Sequence, residues 1–79
     1  MIVSAKVNLA DARAELRMSQ AALATLASIS KQVIVNAENG VAIQRISAHA
    51  ILKGLNHARQ INNLPPLTIT DIDWKIVGE

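Results

Sequence analysis

Three side chains that can make paired hydrogen bonds, Lys31, Gln32 and Asn36, fall within one short stretch, with Val35 among them. An ammonium donates up to three hydrogen bonds, and a carboxamide offers donor and acceptor in one plane. At helical spacing Lys31 and Val35 stack one turn apart, as do Gln32 and Asn36, and the four share a side. Such a strip suits recognition of a polar edge. Other groups combine less well. Asp71 and Asp73 have the spacing of one strand face, but no third ligand, glycine-rich phosphate loop or nucleophile accompanies them. They read as solvated edge charges that discourage strand-to-strand association. His49 and His57 stand on one predicted helix without cysteine or a carboxylate cluster, and read as exposed polar residues, not metal ligands. Nothing here supports an enzyme, a metal site or a cofactor.

The strip needs a support, and residues 19–40 provide two short helices joined by a tight turn. Ser19 is an N-cap whose hydroxyl can accept from a first-turn N–H. Leu23, Ala24 and Ala27 follow at the spacing of one helix face. Ser28, Ile29 and Ser30 interrupt that helix. Ser30 is placed to cap a second one, where Val33, Ile34 and Ala37 repeat the spacing, and Asn39-Gly40 is a stop signal. The arrangement is a helix-turn-helix.

Upstream, residues 2–7 read as a strand or an ordered arm. Asn8 caps a helix predicted through Arg17, with Leu9, Ala12 and Leu16 on its stripe. Beyond Gly40, residues 41–46 make a connecting loop so rich in apolar side chains that part of it should be buried. Ser47 is the predicted cap of the longest helix. Its inner face carries Ala48, Ile51, Leu52, Leu55 and Ala58, with His49, Lys53, Asn56, His57 and Gln60 on the other side. Gly54 costs about 1 kcal/mol relative to alanine, which points to close packing there or to a local flaw. Asn62, Asn63, Leu64, Pro65 and Pro66 end the helix. From Leu67 the period becomes two: Ile69, Ile72, Trp74 and Ile76 alternate with polar residues, as in an extended segment with one buried face. It pairs with residues 2–7 in a two-stranded ribbon, within one chain or across a dimer, or else forms a short fifth helix capped by Thr70. Both readings stay open.

The pattern Gln20-Ala21-x-Leu23-Ala24-x-x-x-x-Ile29-Ser30-x-x-x-Ile34-x-x-x-Glu38-Asn39-Gly40 resembles the phage-repressor (Cro/Xre-type) helix-turn-helix family, over roughly residues 8–60. The resemblance implies an all-α, four- to five-helix domain, with the terminal ribbon as an addition. It implies that the helix after Ser30 lies in the major groove and carries Lys31, Gln32, Val35 and Asn36 as base-reading positions. Lysine can donate to guanine O6 and N7, glutamine and asparagine can pair twice with adenine, and an exposed Val35 suits a thymine methyl. Gln20, Ser30, Asn39 and Arg45 become phosphate contacts, Arg17 and Lys6 weaker ones. Arg13 and Glu38 occupy positions that the family often joins as a structural ion pair. Two departures stand out. Ser28 replaces the usual glycine at a position that wants φ > 0, at about 1 kcal/mol, and Ala37 replaces a larger apolar residue.

Length and composition set the remaining bounds. Seventy-nine residues suggest one domain, residues 1–79, with residues 64–79 as a tail for packing or dimerisation. So short a chain buries only about 60% of its unfolded surface, and a dimer is a natural remedy. It has no cysteine and only one aromatic residue, Trp74, which argues against disulfides and against base-stacking platforms. From Arg17 to Arg59 the basic residues Arg17, Lys31, Arg45, Lys53 and Arg59 face the single acid Glu38, a balance suited to phosphates. No signal peptide or membrane span is recognisable, so the expectation is a cytoplasmic protein, on the nucleoid when bound to DNA. The functional expectation is a transcriptional regulator, a repressor binding an inverted-repeat operator in double-stranded DNA as a homodimer. The alternative is an antitoxin-like protein-interaction module using exposed apolar residues at Leu26, Ile29 and 41–46, together with the alternating tail.

Overall fold

The computed structural model describes residues 6–78. Asn8 starts the first helix: its Oδ1 accepts from the Ala10 N–H at 2.9 Å, and α1 runs Leu9–Glu15, burying Leu9 and Ala12. It stops two residues before Arg17, the expected end. Arg17 instead takes a left-handed φ of 56°, and the Met18 N–H returns to the Arg13 carbonyl at 3.2 Å. That tight exit lets the next helix begin at once. Ser19 Oγ accepts from the Ala22 N–H at 3.0 Å and caps α2, Gln20–Ala27.

Ser28 ends α2 with φ 58°, the left-handed conformation expected at that position. The Ile29 N–H reaches back to the Ala24 carbonyl at 3.0 Å. Helix α3, Lys31–Glu38, then starts from Ser30. The expected side-chain cap is missing: Ser30 has the extended backbone of an N-cap, but only its carbonyl is used, accepting from the Val33 N–H at 3.2 Å. Gly40, at φ 78°, makes the turn out of α3.

The longest helix, α4, is Arg45–Ile61, and its N-cap is Gln44, not Ser47. Ile43 is pinned by the tail described next, so the chain turns into the helix immediately after it and Ser47 falls within the first turn. The expected inner face is buried at Ala48, Ile51, Leu55 and Ala58 and half-buried at Leu52, and Gly54 and Arg59 join it. Gly54 is a packing requirement: a Cβ there would lie 3.2 Å from the Cα and N of Ala27, so its absence lets α2 and α4 touch.

The tail answers the open choice with parts of both readings. Strand β1, Val7–Asn8, pairs in parallel with β2, Ile72–Asp73, within the same chain, with Val7 opposite Ile72. Of the proposed strand at residues 2–7, residues 2–5 lie outside the described residues, and Val7 is in the ribbon. The fifth helix is reduced to a single 3-10 turn, Ile69–Asp71, capped by Thr68 and not Thr70. Asp71 therefore sits in a turn, not on a strand face beside Asp73. Its Oδ2 accepts from the Thr68 N–H at 2.7 Å, and this backbone hydrogen bond leads in holding its carboxyl below the ordinary value. A second parallel bridge joins Ile43 to Ile76. Ile72 is fully buried, and the Trp74 indole donates to the Ile69 carbonyl at 3.1 Å. Ile43 and Ile72 close one core with Leu23, Ile34, Ile51 and Leu55.

Candidate nucleic-acid interface

Helix α3 is held on one side and open on the other. Ile34 and Ala37 are buried against the core and Val33 is half-buried. At about 100° per residue, Lys31, Val35, Gln32 and Asn36 cover roughly 140° of the opposite circumference. Lys31 and Gln32 are exposed, and Asn36 is half-buried. Val35 is half-buried as well, where the sequence reading has it exposed; its helical position is inside the open arc, so the half-burial is not set by helical spacing alone. Gln32 Nε2 donates to Asn36 Oδ1 at 2.9 Å. That bond aligns the two carboxamides while leaving Gln32 Oε1 and the Asn36 amide hydrogens for another molecule.

A second cluster ties this helix to the scaffold. Arg13 Nε donates to Glu38 Oε2 at 2.7 Å and its Nη2 to Oε1 at 3.2 Å, while Gln20 Nε2 donates to the same Oε1 at 3.0 Å. Arg13 Nη1 also donates to the Met18 carbonyl at 2.8 Å. The end of α3, the start of α2 and helix α1 thus meet on one carboxylate whose side chain is 8% exposed, and the same guanidinium holds the turn between α1 and α2. Burial opposes the charge on Glu38, but the hydrogen bonds from Arg13 and Gln20 outweigh it and hold the carboxyl below its usual value. The same hydrogen bond raises the Arg13 guanidinium above its ordinary value, against its own desolvation. Gln20 therefore serves the scaffold, and one Nε2 hydrogen remains for an anion in front of α2.

The other residues expected to face a backbone surround α3. Ser30 and Asn39 are exposed at its two ends, Arg45 is the exposed first residue of α4, and Arg17 and Lys6 are exposed on the α1 side. Arg59 departs from the basic set. It is 6% exposed, donating through Nε to the Pro65 carbonyl at 2.7 Å and through Nη1 to Glu15 at 2.6 Å. The signal was available, since Arg59 is one turn beyond Leu55 on the inner face. His49 and His57 are exposed, and among the described residues no group of three or more His, Cys, Asp or Glu is placed to hold a metal.

A family model described as helix-turn-helix matches residues 9–56, more than half the chain. The chain belongs to the Cro/C1-type helix-turn-helix family. No curated protein and no solved structure matches it. Cro/C1-type membership makes this a DNA-binding domain of transcriptional regulators, with α2 and α3 as its motif. The match ends within α4, so the tail lies outside it. No helix among the described residues is long and apolar enough to cross a membrane.

Proposed function

We propose that this Cro/C1-type domain reads duplex DNA by sequence and represses transcription by occupying an inverted-repeat operator as a homodimer. The open face of α3 carries the reading. Lys31 would donate to guanine, Gln32 and Asn36 would present their aligned carboxamides to adenine, and Val35 would meet a thymine methyl. Gln20, Ser30, Asn39, Arg45 and Arg17 would hold phosphates around that face, with the Arg13–Glu38 pair fixing its tilt. Repression asks nothing of the protein besides occupancy, since a bound domain excludes other proteins from the same groove. A dimer is favoured by apolar side chains left in water: Ile46 is 80% exposed, and Val41 and Val77 are half exposed, all within a few residues of the Ile43–Ile76 bridge. Its half-sites would lie about one helical turn apart. The site of action would then be the cell interior, on the nucleoid.

Those apolar residues also favour a second reading, an antitoxin-like module whose main partner is another protein. That set is smaller than the sequence suggests, because Ile43 is buried and Ile29 half-buried. Selection from a random duplex pool decides between the two. The wild type should recover a two-fold symmetric motif, and Lys31→Ala and Asn36→Ala should each relax particular positions at a cost of about 1–3 kcal/mol. A pool with no enriched motif would overturn sequence-specific reading. A stoichiometric protein complex unaffected by both substitutions would favour the module.

A further inference from the structure

We propose that the C-terminal tail positions the loop between the recognition helix and α4, with Ile43, Ile76 and Val77 as positioning residues for the backbone contact of Arg45. The inference rests on the DNA-reading proposal above.

From Asn39 to Ile46 every residue is exposed except Ile43, which is 5% exposed. Gly40 sits in open space with φ 78°, so sterics at that point do not hold the loop. Its start is closed onto α3 by the Val41 N–H on the Asn36 carbonyl at 2.9 Å, and its far end is held by Ile43, whose N–H donates to the Lys75 carbonyl at 2.9 Å while its own carbonyl accepts from the Val77 N–H at 2.8 Å. A residue bonded through both backbone groups to one partner segment is fixed in position and in direction. Arg45 lies two residues after that anchor, whereas Asn39 is held by α3 itself, its N–H donating to the Val35 carbonyl at 3.0 Å.

The tail is in turn well held. Asn56 and Leu67 exchange two hydrogen bonds of 2.8 Å, Arg59 holds the Pro65 carbonyl, and buried Ile72 pairs with Val7. Helix α4 is about 25 Å long at 1.5 Å per residue. The tail leaves its last turn and returns to the residue preceding its N-cap, a strap along the whole helix. The family match stops at residue 56, so the strap lies outside the matched residues.

The test is the salt dependence of binding to a mixed-sequence duplex of about 20 base pairs, where phosphate contacts supply nearly all the affinity. Wild type, Val77→Pro, Ile76→Ala and Asn56→Ala are compared, with melting temperature measured for each. Val77→Pro removes the N–H that holds Ile43, Ile76→Ala removes packing at the bridge, and Asn56→Ala frees the start of the strap only. The two bridge variants should bind about tenfold more weakly at low salt, with a slope of log K against log salt shallower by about one. Asn56→Ala should keep the wild-type slope even if it melts as early. If Val77→Pro does not fold, Ile76→Ala carries the comparison. Bridge variants with the wild-type slope, or an equal change in Asn56→Ala, would overturn positioning by the tail. A wild type without salt-sensitive binding would overturn it together with the DNA-reading proposal.

Discussion

Helix α1 sends out two ion pairs from residues two apart, and they are built in opposite senses. Arg13, with its side chain 20% exposed, reaches a Glu38 that is 8% exposed, whereas Glu15, half in solvent at 51%, receives an Arg59 that is 7% exposed. In the first pair the enclosed partner is a carboxylate, and donors from Arg13 and Gln20 converge on it. In the second it is a guanidinium, and the acceptors are Glu15 and the Pro65 carbonyl. Each enclosed charge is satisfied by more than one partner, as burial demands. The first pair joins α1 to both helices of the motif. The second joins α1 to the end of α4 and to the strap. One helix therefore braces both α3 and the segment that returns along α4.

The same deletion in each pair measures how unequal they are. Glu38→Ala leaves the Arg13 guanidinium and the Gln20 amide without their shared acceptor, and we expect a loss of about 3 kcal/mol in denaturant unfolding. Glu15→Ala removes a partner that is half solvated, and Arg59 keeps the Pro65 carbonyl. Removing an acid from the last turn of α1 also relieves an unfavourable interaction with the helix dipole. The expected loss is about 1 kcal/mol. Equal losses would show that burial of the carboxylate does not set the strength of the Arg13–Glu38 pair.

The two pairs also differ in how far they were legible beforehand. Arg13 and Glu38 belong to a local pattern: Glu38 stands next to the Asn39-Gly40 stop, and the matching arginine follows from the register of the resembling family. Glu15 and Arg59 are 44 residues apart, and no spacing rule connects them. The same division runs through the fold. Asn8, Ser19 and the break at Ser28 are decided by their near neighbours, and the sequence shows them. The start of α4 is not. Ser47 is the better cap by propensity, yet the helix begins at Arg45 because Ile43 is anchored to Ile76, a contact between segments 33 residues apart. The tail shows both sides. Its alternation reveals an extended run, while the parallel partner at Val7 and the cap at Thr68 depend on where the core places Ile72. For the candidate site, residue types and helical spacing bring Lys31, Gln32, Val35 and Asn36 to one side of α3. The half-burial of Val35 and the use of Gln20 as a donor to Glu38 depend on how α1, α2 and α3 meet.

The smallest expected effect is confined to acid and again separates the pairs. A carboxyl whose folded pKa is depressed contributes stability that is fully present above its unfolded value, about 4.3 for glutamate, and lost as pH falls through the folded value. Glu38 is in that class, because the hydrogen bonds from Arg13 and Gln20 overcome the burial that opposes its charge. Arg13 adds no slope of its own at these pH values. Its pKa is raised, so its contribution is complete below the ordinary arginine value and would fade only in strong alkali. The stability difference between wild type and Glu38→Gln should therefore stay constant from neutrality down to about pH 5, then shrink as the wild-type carboxylate is protonated. Denaturant unfolding at a series of pH values reads this directly. A difference that persists undiminished down to about pH 2 would mean that the charge on Glu38 is not what holds α3 to α1, and that shape and neutral hydrogen bonding suffice.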